Sequence, residues 1–321
     1  METFYREAEA FISKQKEEQP FFLYLALTAP HTPISPSKKF KGKSELGVYG
    51  DFVMEVDHGV ERVMKALKNH GFHENTLVLF SSDHGAASYA GNILQATANQ
   101  ILLLRMLGHY AGGPYRGFKF SIYGGGLRVP LIAHWPGVVP RGTQCDELVG
   151  LNDLMATFAD ITGKKMGRRK GPDSISFAKL LRNPKAKGKR QNLILQSTGP
   201  FAIRDGKWKL CLCPGSGSDG RFATKPKSVD AWRDALKQFG KAPKRTDLTK
   251  APFVQLFDVT KDVHEDHNLA AKYPQRVTKM VELLQRQIDD GRSTPGPKLA
   301  NGRKNINVIQ RLPDFVGNQL K

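Results

Sequence analysis

Asp83 and His84 are the residues whose types and setting first suggest chemistry. They close the apolar run Leu77-Val78-Leu79-Phe80 in the stretch Ser81-Ser82-Asp83-His84-Gly85. Such a run reads as a buried strand carrying a carboxylate and an imidazole to the loop at its C-terminal edge, where open α/β sheets place their ligands. A metal ion would sit there. His31 stands in Thr28-Ala29-Pro30-His31-Thr32-Pro33, which closes the apolar run Phe21 to Leu27 with the same grammar. Its two prolines fix φ and bias the preceding residues toward extended backbone, so the imidazole is held in one place. Lys119 follows the approach Gly112-Gly113-Pro114-Tyr115-Arg116-Gly117-Phe118, and the Gly124-Gly125-Gly126 run beyond it lets backbone come close to a bound anion. Each motif alone also has a plain reading: Asp and Gly are common turn residues, and a lone loop histidine is more often structural or merely exposed.

The order and spacing of these motifs, with Tyr123 to Pro130 and Asp205-Gly206-Lys207-Trp208-Lys209-Leu210, resemble the sulfatase family of the alkaline-phosphatase-like superfamily. The resemblance runs from the Glu2 to Lys16 segment to Leu256-Phe257-Asp258. It implies a sulfuric-ester hydrolase in which Lys119 binds the sulfate oxygens, His31 contacts sulfate and assists the leaving group, and Asp83 and His84 belong to a divalent metal site. The metal implied is Ca2+, with Mg2+ as the alternative. Most relatives carry Asp-Asn at the metal pair, and His84 puts a nitrogen donor into a usually hard oxygen shell. Relatives also usually carry Glu after the Tyr, where this chain has Gly124. The family nucleophile is a formylglycine made from the Cys or Ser of a Cys/Ser-x-Pro/Ala-x-Arg motif, and Cys145, Cys211 and Cys213 do not fit that motif. The chain thus reads as the C-terminal two thirds of a sulfatase, inactive by itself.

The elements that must position these residues are predicted as follows. Phe4, Ala8, Phe11 and Ile12 recur at helical spacing in an amphipathic helix over residues 2–18 that stops before Pro20. Phe21 to Leu27 reads as a central strand. Ser44 to Gly71 forms a long helix with the stripe Val53, Val56, Val60, Val63, Met64 and Leu67 and a cap at Gly71. Thr76 to Ser82 then returns as the second limb of a parallel, right-handed β-α-β unit. Ala86 to Tyr110 reads as a lid, a substrate-site wall or a packed surface helix. Val129 to Trp135 is a further buried strand, and Leu148 to Ile161 a helix with Asn152 or Asp153 near its start. His58, His70 and His73 are read as structural, and His109 is given no role. His264 and His267 could bind a metal, but solvated loop histidines are commoner.

The fold class expected is α/β, alkaline-phosphatase-like, with a mixed and mostly parallel sheet between helices and a smaller C-terminal subdomain of antiparallel sheet plus helix. A partial catalytic domain covers 1–163, a basic connector 164–190, a C-terminal subdomain 191–290 with a long insertion at 214–250, and a basic, partly disordered tail 291–321. Within the subdomain, Leu193 to Gln196, Phe201 to Arg204, Trp208 to Cys213 and Leu256 to Val259 are strands, with Asp205-Gly206 as a hairpin signal and Tyr273 to Asp290 as the closing helix. His31, Asp83, His84 and Lys119 are expected around one pocket at the C-terminal edge of the sheet.

The chain has 321 residues, 40% of them apolar, enough to bury a core, and no run of eighteen apolar residues. Its net charge of +19 is concentrated between Lys164 and Arg190 and in the tail from Lys298. It comes without a helix-turn-helix, finger or aromatic-rich RNA motif, so no nucleic-acid partner is expected and a solvated basic surface or attraction of sulfated glycans is. The partner expected is a sulfated small molecule or glycan. Met1 to Ala10 lacks the apolar core of a signal peptide, whereas the family resemblance implies a periplasmic or extracellular full-length form. The competing class is a non-catalytic binding protein for sulfated polyanions. A related phosphatase or phosphodiesterase fits the Lys119 and Tyr123 to Pro130 pattern less well.

Overall fold

The computed structural model describes residues 1–88, 90, 101, 104–105, 108–197, 199–217 and 252–308. The segment Ala86 to Tyr110, expected as a lid, a substrate-site wall or a packed surface helix, lies largely outside them, as do most of the 214–250 insertion and the tail beyond 308. The described residues form two compact units. One comprises 1–113 and 129–139; the other comprises 114–128, 140–217 and 252–308. This division does not follow the expected boundary at 163, because the Pro114–Arg128 segment belongs with the C-terminal residues.

In the first unit, α1 (Glu2–Ser13) packs on α2 (Gly47–Asn69). The buried stripe of α1 is Tyr5, Ala8 and Ile12, not the expected Phe4, Ala8, Phe11 and Ile12. The cause is Gly59: a Cβ there would fall 2.1 Å from the Tyr5 ring, so only glycine lets the ring lie against α2, where its hydroxyl donates to the Glu55 carbonyl at 3.0 Å. The stripe of α2 turns accordingly, burying Phe52, Val56, Ala66 and Leu67 and leaving Val53 exposed. Two carboxylates are buried with it. Asp51 accepts the N–H groups of Gly42, Lys43 and Ser44, and Glu55 accepts that of Ser37, so the loop before the helix is tied to its first turns. At the other end Gly71 takes φ +79°, and the N–H groups of Phe72 and Gly71 donate to the carbonyls of Leu67 and Lys68. This is a Schellman cap, with Phe72 and Leu67 in one apolar cluster.

Phe21 to Leu27 is extended but joins no ladder among the described residues. Phe21 and Leu23 pack on the helices, with edge-on ring contacts from Phe21 to Phe11 and Phe72, while Phe22 and Tyr24 are 70% and 80% exposed. The expected parallel β-α-β pairing is therefore not formed. Strand β1 (Val78–Ser81) pairs instead with β2 (Leu131–His134), antiparallel and with Val78 opposite His134. The Ser81 hydroxyl donates to the Pro130 carbonyl at 2.8 Å and locks that register. With Ile132 59% exposed, β2 is not the buried strand that its apolar run suggests. The mostly parallel sheet is thus absent among the described residues: the run meant to be its central strand spends one face on the helices and enters no strand ladder there.

The second unit centres on a four-stranded antiparallel sheet in the order β3 (Asn192–Gln196), β4 (Phe201–Asp205), β5 (Trp208–Leu212), β6 (Val254–Asp258). Asp205 pairs with Trp208 around a two-residue turn in which Gly206 takes φ +55°. The strand period of two sorts the side chains. Ile203, Leu210 and Leu256 line up on one face under α6 (Pro274–Asp290), meeting Val277, Met280 and Leu284. Ala202, Cys211 and Phe257 line the other face, where Ile122 and Tyr123 cover them. Helix α6 ends in a second Schellman cap at Gly291, φ +60°.

The 164–190 connector is more than a solvated basic linker. It holds the short helix α5 (Ala178–Arg182) and ends in Arg190, buried against Asp153 with Arg190 Nε 2.8 Å from Oδ2. Asp153 precedes α4 (Leu154–Ile161) and also accepts the N–H groups of Gly150 and Ile175. The expected disorder of the tail does not extend to 291–308. Arg292 is buried and donates to the carbonyls of Thr294, Arg168 and Pro297, and Val308 joins the core under α6. Among the described residues no helix is long and apolar enough to cross a membrane.

Candidate functional site

Lys119 lies on a loop that the glycines after Tyr123 hold from below. The segment α3 (Gly124–Leu127) is a single helical turn, and its Gly125 and Gly126 face backbone. A Cβ on Gly125 would sit 2.3 Å from the Gly117 carbonyl oxygen, and one on Gly126 would sit 2.3 Å from that of Ser121 and 2.6 Å from that of Phe118. The Gly125 N–H donates to the Arg116 carbonyl at 2.7 Å, and the Ser121 N–H to that of Phe118 at 2.9 Å. The expectation that these glycines serve a bound anion is corrected: their lack of side chains admits the Lys119 loop itself. Phe120 takes φ +74°, a conformation costly for an aromatic residue and kept only where the surroundings over-determine it. The Ser197 hydroxyl donates to the Phe120 carbonyl and is one such restraint.

A buried carboxylate anchors the same segment. Gly124 donates its N–H to Glu265 Oε2, Lys209 Nζ lies 2.6 Å from Glu265 Oε1, and Arg116 donates to the Glu265 carbonyl at 2.9 Å. The Arg116 guanidinium also stacks 4.2 Å from the Tyr123 ring centroid. The Tyr123 hydroxyl donates to Gln255 at 2.7 Å, and Gln255 in turn donates to the carbonyls of Cys213 and Gly215. Burial pushes the Tyr123 phenol up to about 12 and the Cys211 thiol well above its ordinary range, and it holds Arg204 below the usual guanidinium value. Sequence reasoning missed Glu265, which sits between the two histidines it weighed as ligands. The available signal was Lys209, a charge on the strand face shared with Cys211, which requires a buried partner. His264 and His267 are turned to Asp266 and Asp262 of their own loop.

His31, Asp83 and His84 lie in the other unit. His31 occupies the turn between the cis Ala29–Pro30 and Thr32–Pro33 bonds, with Nδ1 2.7 Å from the Thr32 carbonyl; a carbonyl only accepts, so Nδ1 carries the proton. Asp83 and His84 follow β1 directly and are brought together: His84 Nε2 is 3.1 Å from Asp83 Oδ2, its backbone N–H donates to Asp83 Oδ1 at 3.0 Å, and its Nδ1 is 2.9 Å from the Gly85 carbonyl. Both ring nitrogens of His84 are thus turned to oxygens of their own loop. Among the described residues no group of three or more His, Cys, Asp or Glu could hold a metal ion. Two donors, one of them nitrogen, fall far short of the six to eight oxygens that Ca2+ takes. The residues present do not fit that ion by themselves.

Similar folds place the chain first in the alkaline-phosphatase-like α/β class. A Bacteroides thetaiotaomicron structure, described under the metabolism of multiple glycosaminoglycans, matches with a TM-score of 0.70 and 28% identity over 89% of this chain and 53% of its own. The Sulfatase family profile matches residues 1–164. An N-acetylgalactosamine-6-O-sulfatase of Bacteroides thetaiotaomicron is 30% identical over 279 residues, covering 87% of this chain and 49% of that protein. Human arylsulfatase A is 29% identical over 287 residues, covering 86% of this chain and 50% of that protein. The chain belongs to the sulfatase family. It spans about half the length of these relatives.

Proposed function

We propose that the chain supplies the sulfate-recognising part of a sulfuric-ester hydrolase acting on sulfated sugars. The observation that carries this reading is that the Sulfatase family profile matches residues 1–164, the stretch that contains His31, Asp83, His84 and Lys119. The Lys119 ammonium neutralises charge on the sulfate oxygens, and His31 hands a proton to the departing alkoxide. Asp83 and His84 contribute to the metal site that the family implies, completed by donors other than those described. The name of the Bacteroides thetaiotaomicron relative, an N-acetylgalactosamine-6-O-sulfatase, favours an amino-sugar sulfate ester as the substrate class. No Cys/Ser-x-Pro/Ala-x-Arg precursor of formylglycine occurs in the 321 residues. The chain as written therefore binds sulfate esters without cleaving them, because loss of a covalent nucleophile removes orders of magnitude in rate.

The test is an aryl-sulfate assay on the chain beside a polypeptide extended upstream to include the nucleophile motif. The extended form should turn over and the chain should not; equal turnover by both would refute the reading. The +19 charge favours a second reading, a non-catalytic binder of sulfated polyanions. That reading requires an inactive extended form that still binds a heparin-like matrix in a strongly salt-dependent way.

A further inference from the structure

We propose that His73 and His134 form a binding site for a borderline divalent transition ion of the Zn2+ class, separate from the loop that carries Asp83 and His84. The two imidazoles meet edge to edge, with Nε2 of His134 3.1 Å from Nε2 of His73, ring centroids 5.1 Å apart and planes inclined by 47°. A carbonyl or carboxylate would be the ordinary partner of a histidine placed here; nitrogen facing nitrogen is the less common pairing. Two imidazoles that ligate one ion at about 2.0–2.1 Å hold their nitrogens about 2.9–3.4 Å apart for angles between square and tetrahedral. The observed separation falls inside that window, so the ion fits once the two rings turn to aim their Nε2 lone pairs at one point beside the line that joins them.

The tautomers are arranged for it. The Nδ1 of His73 lies 2.8 Å from a carboxylate oxygen of Glu74. Nδ1 therefore carries the proton and Nε2 presents its lone pair toward His134, the carboxylate–histidine arrangement that orients metal ligands and raises their basicity. In the metal-free state His134 supplies the proton of the Nε2···Nε2 contact. When the ion binds, that proton moves to Nδ1 of His134, and both Nε2 lone pairs are donated.

The supports are rigid. His73 opens the short turn His73–Asn75 directly after the Schellman cap of α2. Phe72 beside it packs in the α1–α2 cluster, and Thr76 donates its hydroxyl to the Phe72 carbonyl at 2.7 Å. His134 ends β2 opposite Val78, which belongs to the same cluster. An ion held here fastens the end of α2 to the end of β2. Among the described residues no third His, Cys, Asp or Glu completes a cluster, so water fills the remaining positions. Imidazole ligands with water suit Zn2+, Ni2+ and Cu2+, whereas Ca2+ and Mg2+ prefer an all-oxygen shell.

The experiment is titration of the full chain with Zn2+ by calorimetry, and with Cu2+ by electron paramagnetic resonance, on wild type, His73→Gln, His134→Gln and Glu74→Gln. A saturable one-to-one site should appear, with two nitrogen couplings in the Cu2+ spectrum. Each histidine substitution should weaken it at least tenfold, and Glu74→Gln should weaken it about 10- to 100-fold. His70→Gln should leave it unchanged. Binding should fall on acidification as protons compete for the nitrogens. Circular dichroism of each variant without metal separates loss of the site from loss of the fold, and a variant that fails to fold is replaced by its Asn counterpart. Zn2+ affinity equal in wild type and both histidine variants, or no saturable binding in wild type, would overturn the proposal.

Discussion

Replacing Gly126 with alanine adds one methyl group and should damage both stability and sulfate binding. The new carbon would stand 2.3 Å from the Ser121 carbonyl oxygen and 2.6 Å from that of Phe118. Carbon contacts are most favourable near 3.5 Å, so the atoms must part by roughly 1 Å. Neither obstacle is the free end of a side chain. Both belong to the backbone that brackets Lys119, and the Phe118 carbonyl is already committed to the Ser121 N–H. Overpacking of this kind costs about 1–3 kcal/mol, which urea unfolding would read as a lower midpoint at unchanged slope. Because Lys119 is the proposed sulfate ligand, a displacement of about 1 Å should also lower the chain's aryl-sulfate affinity, and the turnover of the form extended to include the nucleophile motif, by up to about 100-fold. Gly167→Ala is the control, because a Cβ there meets nothing within 4 Å; it should be neutral or stabilise by up to about 1 kcal/mol through the unfolded chain. A Gly126→Ala protein as stable as Gly167→Ala, with unchanged sulfate affinity, would refute the reasoning that these glycines set the position of Lys119.

Asp153→Ala should cost about 3–5 kcal/mol in urea unfolding, since it strands a buried Arg190 guanidinium and the N–H groups of Gly150 and Ile175. Asp258 is held at about 2, first by its hydrogen bond from Lys207 and then by that from Thr260. The unfolded chain therefore takes up a proton at higher pH than the folded one. The stability this gives is present above about pH 3.9 and is lost as pH falls toward 2, so Asp258→Asn should flatten the acid limb of the stability curve in that window. Cys145 is exposed whereas Cys211 and Cys213 are buried, so a thiol reagent should label one cysteine quickly in the native chain and the other two only on unfolding.

Local rules made part of this structure legible. Gly71 ends its helix in the left-handed conformation, and Asp205-Gly206 turns a hairpin, because caps and tight turns depend on a few adjacent residues. The apolar runs were less informative about partners. Phe21 to Leu27 and Val129 to Trp135 have the composition of buried strands, yet composition does not say whether a run finds a ladder, and here both show one side to solvent. The stripe of α2 was misread by about one position because the decisive contact is with Gly59, which a pattern of apolar residues cannot register. Of the candidate site, the strand-end placing of Asp83 and His84 was readable from Leu77 to Gly85. The buried carboxylates Asp51, Glu55, Asp153 and Glu265 were not. Their partners are backbone N–H groups or cations on other elements, and nothing in a local window marks an acidic residue for burial.

Glu265 changes how the Lys119 loop must be understood. Relatives usually place a carboxylate directly after the Tyr, and at that position this chain has Gly124, whose absent Cβ would approach Glu265 Oε2 to 3.1 Å. A carboxylate is still present at this point of the loop, but it arrives from a residue 141 positions later. Lys209 on the antiparallel sheet neutralises it, and Arg116, at the start of the tight loop that leads to Gly124, grips its carbonyl. The family profile ends at residue 164, so it contains the lysine and not the group that anchors its loop. Residues 114–128 accordingly close with the C-terminal sheet, where Tyr123 and Ile122 cover Cys211 and Phe257. Whatever charge Lys119 offers to an anion, its position is set by the packing and buried ion pair of that unit, and changes at Lys209 or Glu265 act on the loop through its backbone, without touching the lysine side chain.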